Sequence, residues 1–230
     1  MALKLNLTLL RPVGLAIAAS LALGACGNDP DTGALAAPLK TLLSGAGKGK
    51  AAPGPPAPAQ IAQAMAATDG PFIMLANEKR QLYGLFLKIE QNGAYDTYGT
   101  SSRQTLTLKH GMLTASRGLV NDLMSANVDQ SLALVSARKP GSTTRVMRYL
   151  DGEEQIFAYS FTCTISPGAH STLPLPVGQK TAVQQVAENC RSESRSFQNT
   201  YQVDHAGRIV KSRQWSGPLG GYFEISQLRG

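Results

Sequence analysis

The chain has 230 residues, 43% of them hydrophobic and 16% charged, with a formal net charge of +7 and three cysteines. That length supports one domain with a real core plus a tail, with no solenoid repeat in it. The moderate positive balance suits anionic polysaccharide, lipopolysaccharide or phospholipid surfaces, and equally a solvated surface that binds none of them. The absence of a CxxC pair excludes a thiol-exchange motif.

The chain opens with Lys4 and Arg11, then an apolar stretch from Val13 to Ala25. That run is shorter than the roughly 20 residues needed to cross a bilayer core. A charged start, a short apolar core and small residues at its end predict a secretory signal peptide over 1–25. Leu23-Gly24-Ala25-Cys26 resembles the lipobox of bacterial lipoproteins, in which Cys26 becomes the lipid-modified first residue. The alternative is an ordinary signal peptide with a chance cysteine. Acylation of Cys26 would anchor the protein to a membrane. By the same resemblance, glycine rather than aspartate at position 27 favours the outer membrane, facing the periplasm. Cleavage before Cys26 removes Lys4 and Arg11 and leaves 205 residues with a net charge of +5.

Residues 26–59 read as a disordered tether. "SGAGKGKAAPGPPAPAQ" combines glycine flexibility with extended polyproline segments and offers little to pack. "ALAAPLKTLLS", residues 34–44, is the one stretch there with the composition of a short helix. From Gln60 the character changes. "QIAQAMAA" predicts a helical turn or two, and alternating patterns follow. Tyr83, Leu85, Leu87 and Ile89 fall on one strand face, and Asn92-Gly93 predicts a hairpin turn with positive φ at both central positions. A second hairpin turns near His110-Gly111. "RGLVNDLMSANV" reads as a short helix with Leu119, Leu123 and Met124 inward. A third hairpin turns at Asp151-Gly152, after which Phe157, Tyr159, Phe161, Cys163 and Ile165 share a face. "AVQQVAENC" fits helix or strand equally. The last 30 residues read strand, turn, strand, turn, strand.

The sum for residues 60–230 is an all-β, mainly antiparallel domain of eight to ten strands with one or two short helices. A sheet that large curls into a barrel or half-barrel, or doubles into a sandwich. Cys163 and Cys190 predict a disulfide in an oxidising compartment, the alternative being two buried thiols.

Catalytic patterns are missing from the sequence. His110, His170 and His205 form no HExxH or HxH spacing, and the cysteines lack zinc-finger spacing, so no metal is expected. No GxSxG elbow occurs. Glu153 and Glu154 are adjacent in a turn, so their side chains diverge rather than facing across a cleft. No glycine-rich phosphate loop or other cofactor motif is present. Binding features are more promising. Tyr201, Trp215, Tyr222 and Phe223 lie near Arg208, Lys211 and Arg213, a mixture suited to stacking on sugar rings and pairing with acidic groups. The alternative is that these aromatics belong to the core. Nucleic acid is not expected as a partner, because the signal peptide directs the chain out of the cytoplasm.

Two segments carry a family resemblance. "GMLTASRGLVNDLM", at 111–124, and "FQNTYQVDHAGRIVKSRQWSGPLGGYFEISQL", at 197–228, resemble segments of the YjbF/GfcB-type lipoproteins. Arg117, Gly118, Leu119, Asp122, Asn199, Asp204, Gly207, Arg208, Gln214 and Trp215 match the motif positions. The resemblance implies a mainly antiparallel β fold without enzymatic activity, on a periplasm-facing lipoprotein of group 4 capsule or exopolysaccharide production. The expected ligand or partner surface is Arg117, Asp122, Asn199, Tyr201, Arg208, Arg213, Gln214 and Trp215, contacting anionic polysaccharide or export-machinery proteins. A different expectation is a lipid or lipoprotein carrier, which would place an apolar cavity inside the curled sheet.

Overall fold

The computed structural model describes residues 54–119, 122–150, 155–174 and 180–229. The expected signal peptide, Cys26, the 34–44 stretch and the expected Asp151-Gly152 turn lie outside them. The elements are helix α1 (Pro58–Ala66) and strands β1 (Phe72–Asn77), β2 (Leu82–Asn92), β3 (Tyr95–Gly99), β4 (Thr105–Lys109), β5 (Met112–Arg117) and β6 (Leu123–Asn127). Helix α2 (Asp129–Ala137) precedes β7 (Gly141–Leu150), β8 (Ile156–Pro174), β9 (Lys180–Arg191), β10 (Ser196–Asp204), β11 (Ile209–Gly217) and β12 (Gly221–Arg229). A 3-10 turn, Glu78–Arg80, links β1 to β2.

All twelve strands belong to one sheet, in the order β5-β4-β3-β2-β1-β12-β11-β10-β9-β8-β7-β6. Every pairing is antiparallel, and β1 pairs with both β2 and β12, so first and last strands are neighbours. The result is an up-and-down barrel, closed except between β5 and β6, where side chains replace the ladder. Arg117 Nη1 donates to Leu123 O at 2.8 Å, and Leu123 N donates to Ser116 Oγ at 3.1 Å. Full or near closure removes most of the free edge that a twelve-stranded sheet would otherwise expose.

The inward face of alternate residues forms the core: Ile73, Leu75, Phe86, Leu106, Leu113, Met147, Tyr149, Phe161 and Phe223 meet inside. Toward one end a second cluster joins Met112, Ile165, Val186, Tyr201, Val203 and Ile209 to Val128 and to Val135 of α2. Helix α2 lies across that end. It pairs with β4 through Lys109 and Asp129, with β7 through Ser131 and Thr143, and with the β10–β11 turn, where Arg138 Nη1 donates to Asp204 O. Side chains and a helix thus fill the interior. On the outer face, Ala64 and Met65 of α1 cover Phe72, Met74, Leu85, Leu87 and Leu228.

Several expectations hold. The expected Phe157–Ile165 face is the inward face of β8, with Phe161, Cys163 and Ile165 buried. His110 (φ 46°) and Gly111 (φ 90°) turn the β4–β5 hairpin, and "AVQQVAENC" is strand β9. Other expectations are corrected. Twelve strands lie among the described residues, against an expectation of eight to ten. The β2–β3 turn falls on Gly93-Ala94, one residue later than expected, since Asn92 pairs with Tyr95. Ile89 is exposed beside a bulge, while Leu85 and Leu87 face outward against α1. The helix expected over 117–128 does not form. Gly118 adopts φ 68°, and the Asp122 carboxylate accepts from the N–H of Gly118 and Leu119, which makes a turn; Leu123–Asn127 then pairs with β7. The helix instead follows at Asp129. Pro58 opens α1 as its first residue, and Gln60 Oε1 accepts from Ala57 N at 2.8 Å.

Candidate functional site

Two polar arrangements stand out, one inside the barrel and one outside. The inner one is built by period-2 placement. In "TTRVMRYL" the alternation that puts Met147 and Tyr149 inward also puts Arg145 inward, and in "AENC" it places Glu188 beside Cys190. Arg145 Nη1 lies 2.9 Å from Glu188 Oε2, both side chains fully buried. Tyr201 OH donates to the same carboxylate oxygen at 2.7 Å, and Asn199 Nδ2 donates to it at 2.8 Å. Burial pushes the Glu188 carboxyl up, but the Arg145 charge and hydrogen bonds from Ser131, Tyr201 and Asn199 outweigh it and hold the group below its ordinary value. Burial and the Glu188 charge push the Tyr201 phenol well above the usual range. The pair therefore stays ionised and Tyr201 stays protonated.

The network reaches further. Asn199 Oδ1 accepts from Trp215 N at 2.7 Å, at the point where the β10–β11 ladder ends. Gln214 Oε1 accepts from Leu113 N at 2.9 Å, while its amide donates to Gly111 O and Ser212 Oγ. Asn199, Tyr201 and Gln214 are fully buried, and Trp215 is nearly so, stacked on Phe197 at 4.6 Å. These four side chains therefore do not form the expected outer ligand surface. A register shift between Trp215 and Gly217 turns the indole inward, and the ion pair makes the interior hospitable to amides.

The other motif positions also have structural work. Asp204 is buried, and its carboxylate accepts from Ala206 N, Arg208 N and Arg208 Nε. Gly207 has φ 81°, and a Cβ there would sit 2.9 Å from Ser136 O of α2. Arg117 ties the seam between β5 and β6, and Asp122 caps the turn before β6. Cys163 and Cys190 form the expected disulfide, directly paired across β8 and β9. Glu188 lies beside it, with its carboxylate and the two sulfurs within 4.8 Å of one another. Sulfurs bonded to each other offer no thiolate ligands, so this trio is not a metal centre. Among the described residues, His110, His170 and His205 are exposed and have no hydrogen-bond partner.

The outer arrangement is a groove of about 220 Å³ lined by Lys79, Arg213, Gly221, Tyr222 and Glu224. Asn77 Nδ2 donates to Gly220 O at 2.6 Å and Arg80 Nη2 to Leu219 O at 3.1 Å, which holds the 3-10 turn against the β11–β12 turn. Arg213 lies 3.5 Å over the centre of the Tyr222 ring, and the Tyr222 hydroxyl accepts from Gln198 N. Glu224 faces Lys211 at 4.0 Å. Among the described residues neither Lys79 nor Arg213 has a carboxylate partner. A stacked guanidinium keeps its N–H edge free for a planar anion. Of the expected surface residues this groove holds Arg213 alone; Arg208 and Arg117 are exposed elsewhere. Glu224 faces Arg213 directly across the β11–β12 hairpin, while Lys79 joins the groove through β1–β12 adjacency, for which no local sequence signal exists.

The fold defines a class: an up-and-down antiparallel barrel, plugged by its own helix and braced by a buried ion pair. A family model described as "Group 4 capsule polysaccharide lipoprotein gfcB, YjbF" matches residues 39–228. The chain belongs to that family. No curated protein matches it. Among solved structures, the hypothetical lipoprotein YmcC from Escherichia coli K12 is similar in fold, with a TM-score of 0.63 and 19% sequence identity. The match covers 73% of this chain and 88% of that one.

Proposed function

We propose that the protein is a non-catalytic accessory of capsule or exopolysaccharide production or export. It is attached through a lipidated Cys26 to the outer membrane, faces the periplasm, and contacts acidic glycan through the Lys79–Arg213–Tyr222 groove. Family membership supports the capsule association and the lipid anchor. The observation that carries glycan contact is a pair of cations without carboxylate partners among the described residues, beside a half-buried aromatic on the outside of a barrel whose interior is filled. Such a groove seats a sugar ring beside the stacked Tyr222–Arg213 pair and pairs its carboxylate with the N–H edge of Arg213 and with Lys79.

The test is calorimetry of the protein with the acidic exopolysaccharide of its own organism, and with a neutral glycan as control. Binding of the acidic polymer that weakens with salt and falls about tenfold in the Lys79→Ala/Arg213→Ala variant is the expected result. No binding, together with unchanged polysaccharide export in a deletion strain, overturns the proposal. Retained export defects without glycan binding would point instead to contact with secretion proteins.

A further inference from the structure

The outer face of β7 to β11 carries charge of one sign. These five strands contain two carboxylates, Glu188 and Asp204, both buried and each held by an arginine. Their outward positions hold Arg148, Arg191 and Arg213, all exposed and, among the described residues, without a carboxylate partner. Hydroxyls and amides stand between them. A solvated outer face is ordinary for an antiparallel sheet, but soluble surfaces usually intersperse both signs of charge. We infer that this face is a track along which an acidic polysaccharide chain extends from the Lys79–Arg213–Tyr222 groove, crossing the strands toward β7.

The inference rests on the groove as an acidic-glycan site and adds the direction and length of the bound chain. Register sets the direction. Ser142 pairs with Thr164, Thr164 with Asn189, and Asn189 with Gln198, so their side chains form one row across β7, β8, β9 and β10. Gln198 Nε2 donates to Asn189 Oδ1 at 2.8 Å, and Gln198 N donates to the Tyr222 hydroxyl at 3.2 Å, which joins the row to the groove. The adjacent row reaches it too, since Thr200 pairs with Arg213. Strands about 4.8 Å apart put β7 roughly 19 Å from β11, more than a single sugar ring can span. Thr162 and Thr164 are exposed, and their hydroxyls have no hydrogen-bond partner among the described residues, so both can donate to and accept from sugar hydroxyls. These rows hold no carboxylate to repel an acidic chain and no large apolar side chain for a bilayer to bury.

Calorimetry with two fragments of the organism's own acidic exopolysaccharide tests this, a disaccharide that includes the acidic sugar and an octasaccharide. The octasaccharide should bind at least about tenfold tighter than the disaccharide. Thr162→Glu/Thr164→Glu should weaken the octasaccharide about tenfold and leave the disaccharide unchanged, while Thr162→Lys/Thr164→Lys should strengthen the octasaccharide. An unchanged urea midpoint confirms an intact barrel, and the lysine pair decides alone if the glutamate pair is unstable. Equal affinity for the two fragments, or octasaccharide binding that neither pair alters, overturns the track and leaves the groove standing. Equal weakening of both fragments marks a long-range field and also overturns the track. Binding of neither fragment removes the groove and the track with it. Phosphatidylglycerol vesicles bound more tightly than the octasaccharide, and released by the glutamate pair, overturn the track and assign the face to a membrane.

Discussion

Replacing Glu188 with glutamine keeps the shape of the side chain and removes its charge, which isolates what the buried ion pair contributes. The glutamine oxygen can still accept from Tyr201 and Asn199, so those hydrogen bonds survive. Arg145 is left fully buried and uncompensated, and loss of one partner of a buried pair costs about 3–5 kcal/mol. In a domain of this size that lowers the melting temperature by roughly 6–20 °C. Arg145→Met should cost a similar amount, since it leaves the Glu188 carboxylate without its counter-charge. The double variant Arg145→Met/Glu188→Gln buries no charge at all. Besides the pair itself it loses the Arg145 contacts to Leu113 O, 3.3 Å in the native protein, and to Tyr201 OH at 3.5 Å, and should lie about 1–2 kcal/mol below wild type. The assay is urea denaturation with the disulfide kept oxidised, followed by emission of the single tryptophan, Trp215, whose ring is stacked in the core. A Glu188→Gln variant within about 1 kcal/mol of wild type, or a double variant as unstable as the sum of the singles, would refute the reasoning.

The same pair predicts an acid limb. Because the folded protein holds the Glu188 carboxyl below its ordinary 4.5, its stabilisation is complete above that value and fades as pH falls from there through the lower folded value. Denaturation midpoints collected down to about pH 3 should decline steeply in wild type and less so in Glu188→Gln; identical slopes would count against the assignment. Cys163→Ala/Cys190→Ala, which opens a loop with a sequence separation of 27, should lower stability by about 3.5 kcal/mol relative to the oxidised wild type and match the reduced wild type, checked by denaturation of all three. Gly207→Ala should cost about 1–3 kcal/mol, because φ 81° strains alanine and its Cβ would press on Ser136 O; an unchanged melting temperature would show that the β10–β11 turn yields freely.

Most of the strand pattern was legible because most strands have one apolar and one polar face. Phe157–Ile165 and the three closing strands follow that rule, as does the His110-Gly111 turn, which needs two left-handed residues in succession. Strand β1, "FIMLAN", lacks the alternation, since Ile73 and Leu75 face the core while Phe72 and Met74 face α1. A strand buried on both sides carries no period-2 signal. The α2 helix was hidden because Val128 offers no side-chain cap and the packing of Val135 depends on the barrel end it covers. The buried amides escape the sequence pattern for a related reason. Asn199 and Gln214 are polar on inward positions, which period-2 logic assigns correctly only once the Arg145–Glu188 pair is known to be inside. That pair was itself readable, as a charge alternating with Met147 and Tyr149 and another alternating with Cys190. What no local pattern contains is the adjacency of β1 to β12, which brings Lys79 to Arg213.

The position of the network explains why the barrel needs it. Strand β5 has a ladder partner on one side, β4, and faces β6 across a seam with no ladder. Buried backbone groups left unpaired at such a seam are expensive. Leu113 of β5 has both of its backbone groups met from across the barrel, its N–H by Gln214 of β11 and its carbonyl by Arg145 of β7. Gln214 also takes the carbonyl of Gly111 just before the strand, while Arg117 and Ser116 bond Leu123 at the strand's other end. Arg145 can serve β5 only because Glu188, Tyr201 and Asn199 hold its guanidinium in place with the charge compensated. A one-residue slip of β7 or β9 would turn Arg145 or Glu188 outward and release β5 as well, so the ion pair fixes register and closure together. The motif residues Arg117, Asn199 and Gln214 are therefore committed to closing the sheet. The unpaired charges lie instead on the outer surface, where among the described residues Lys79 and Arg213 have no carboxylate partner.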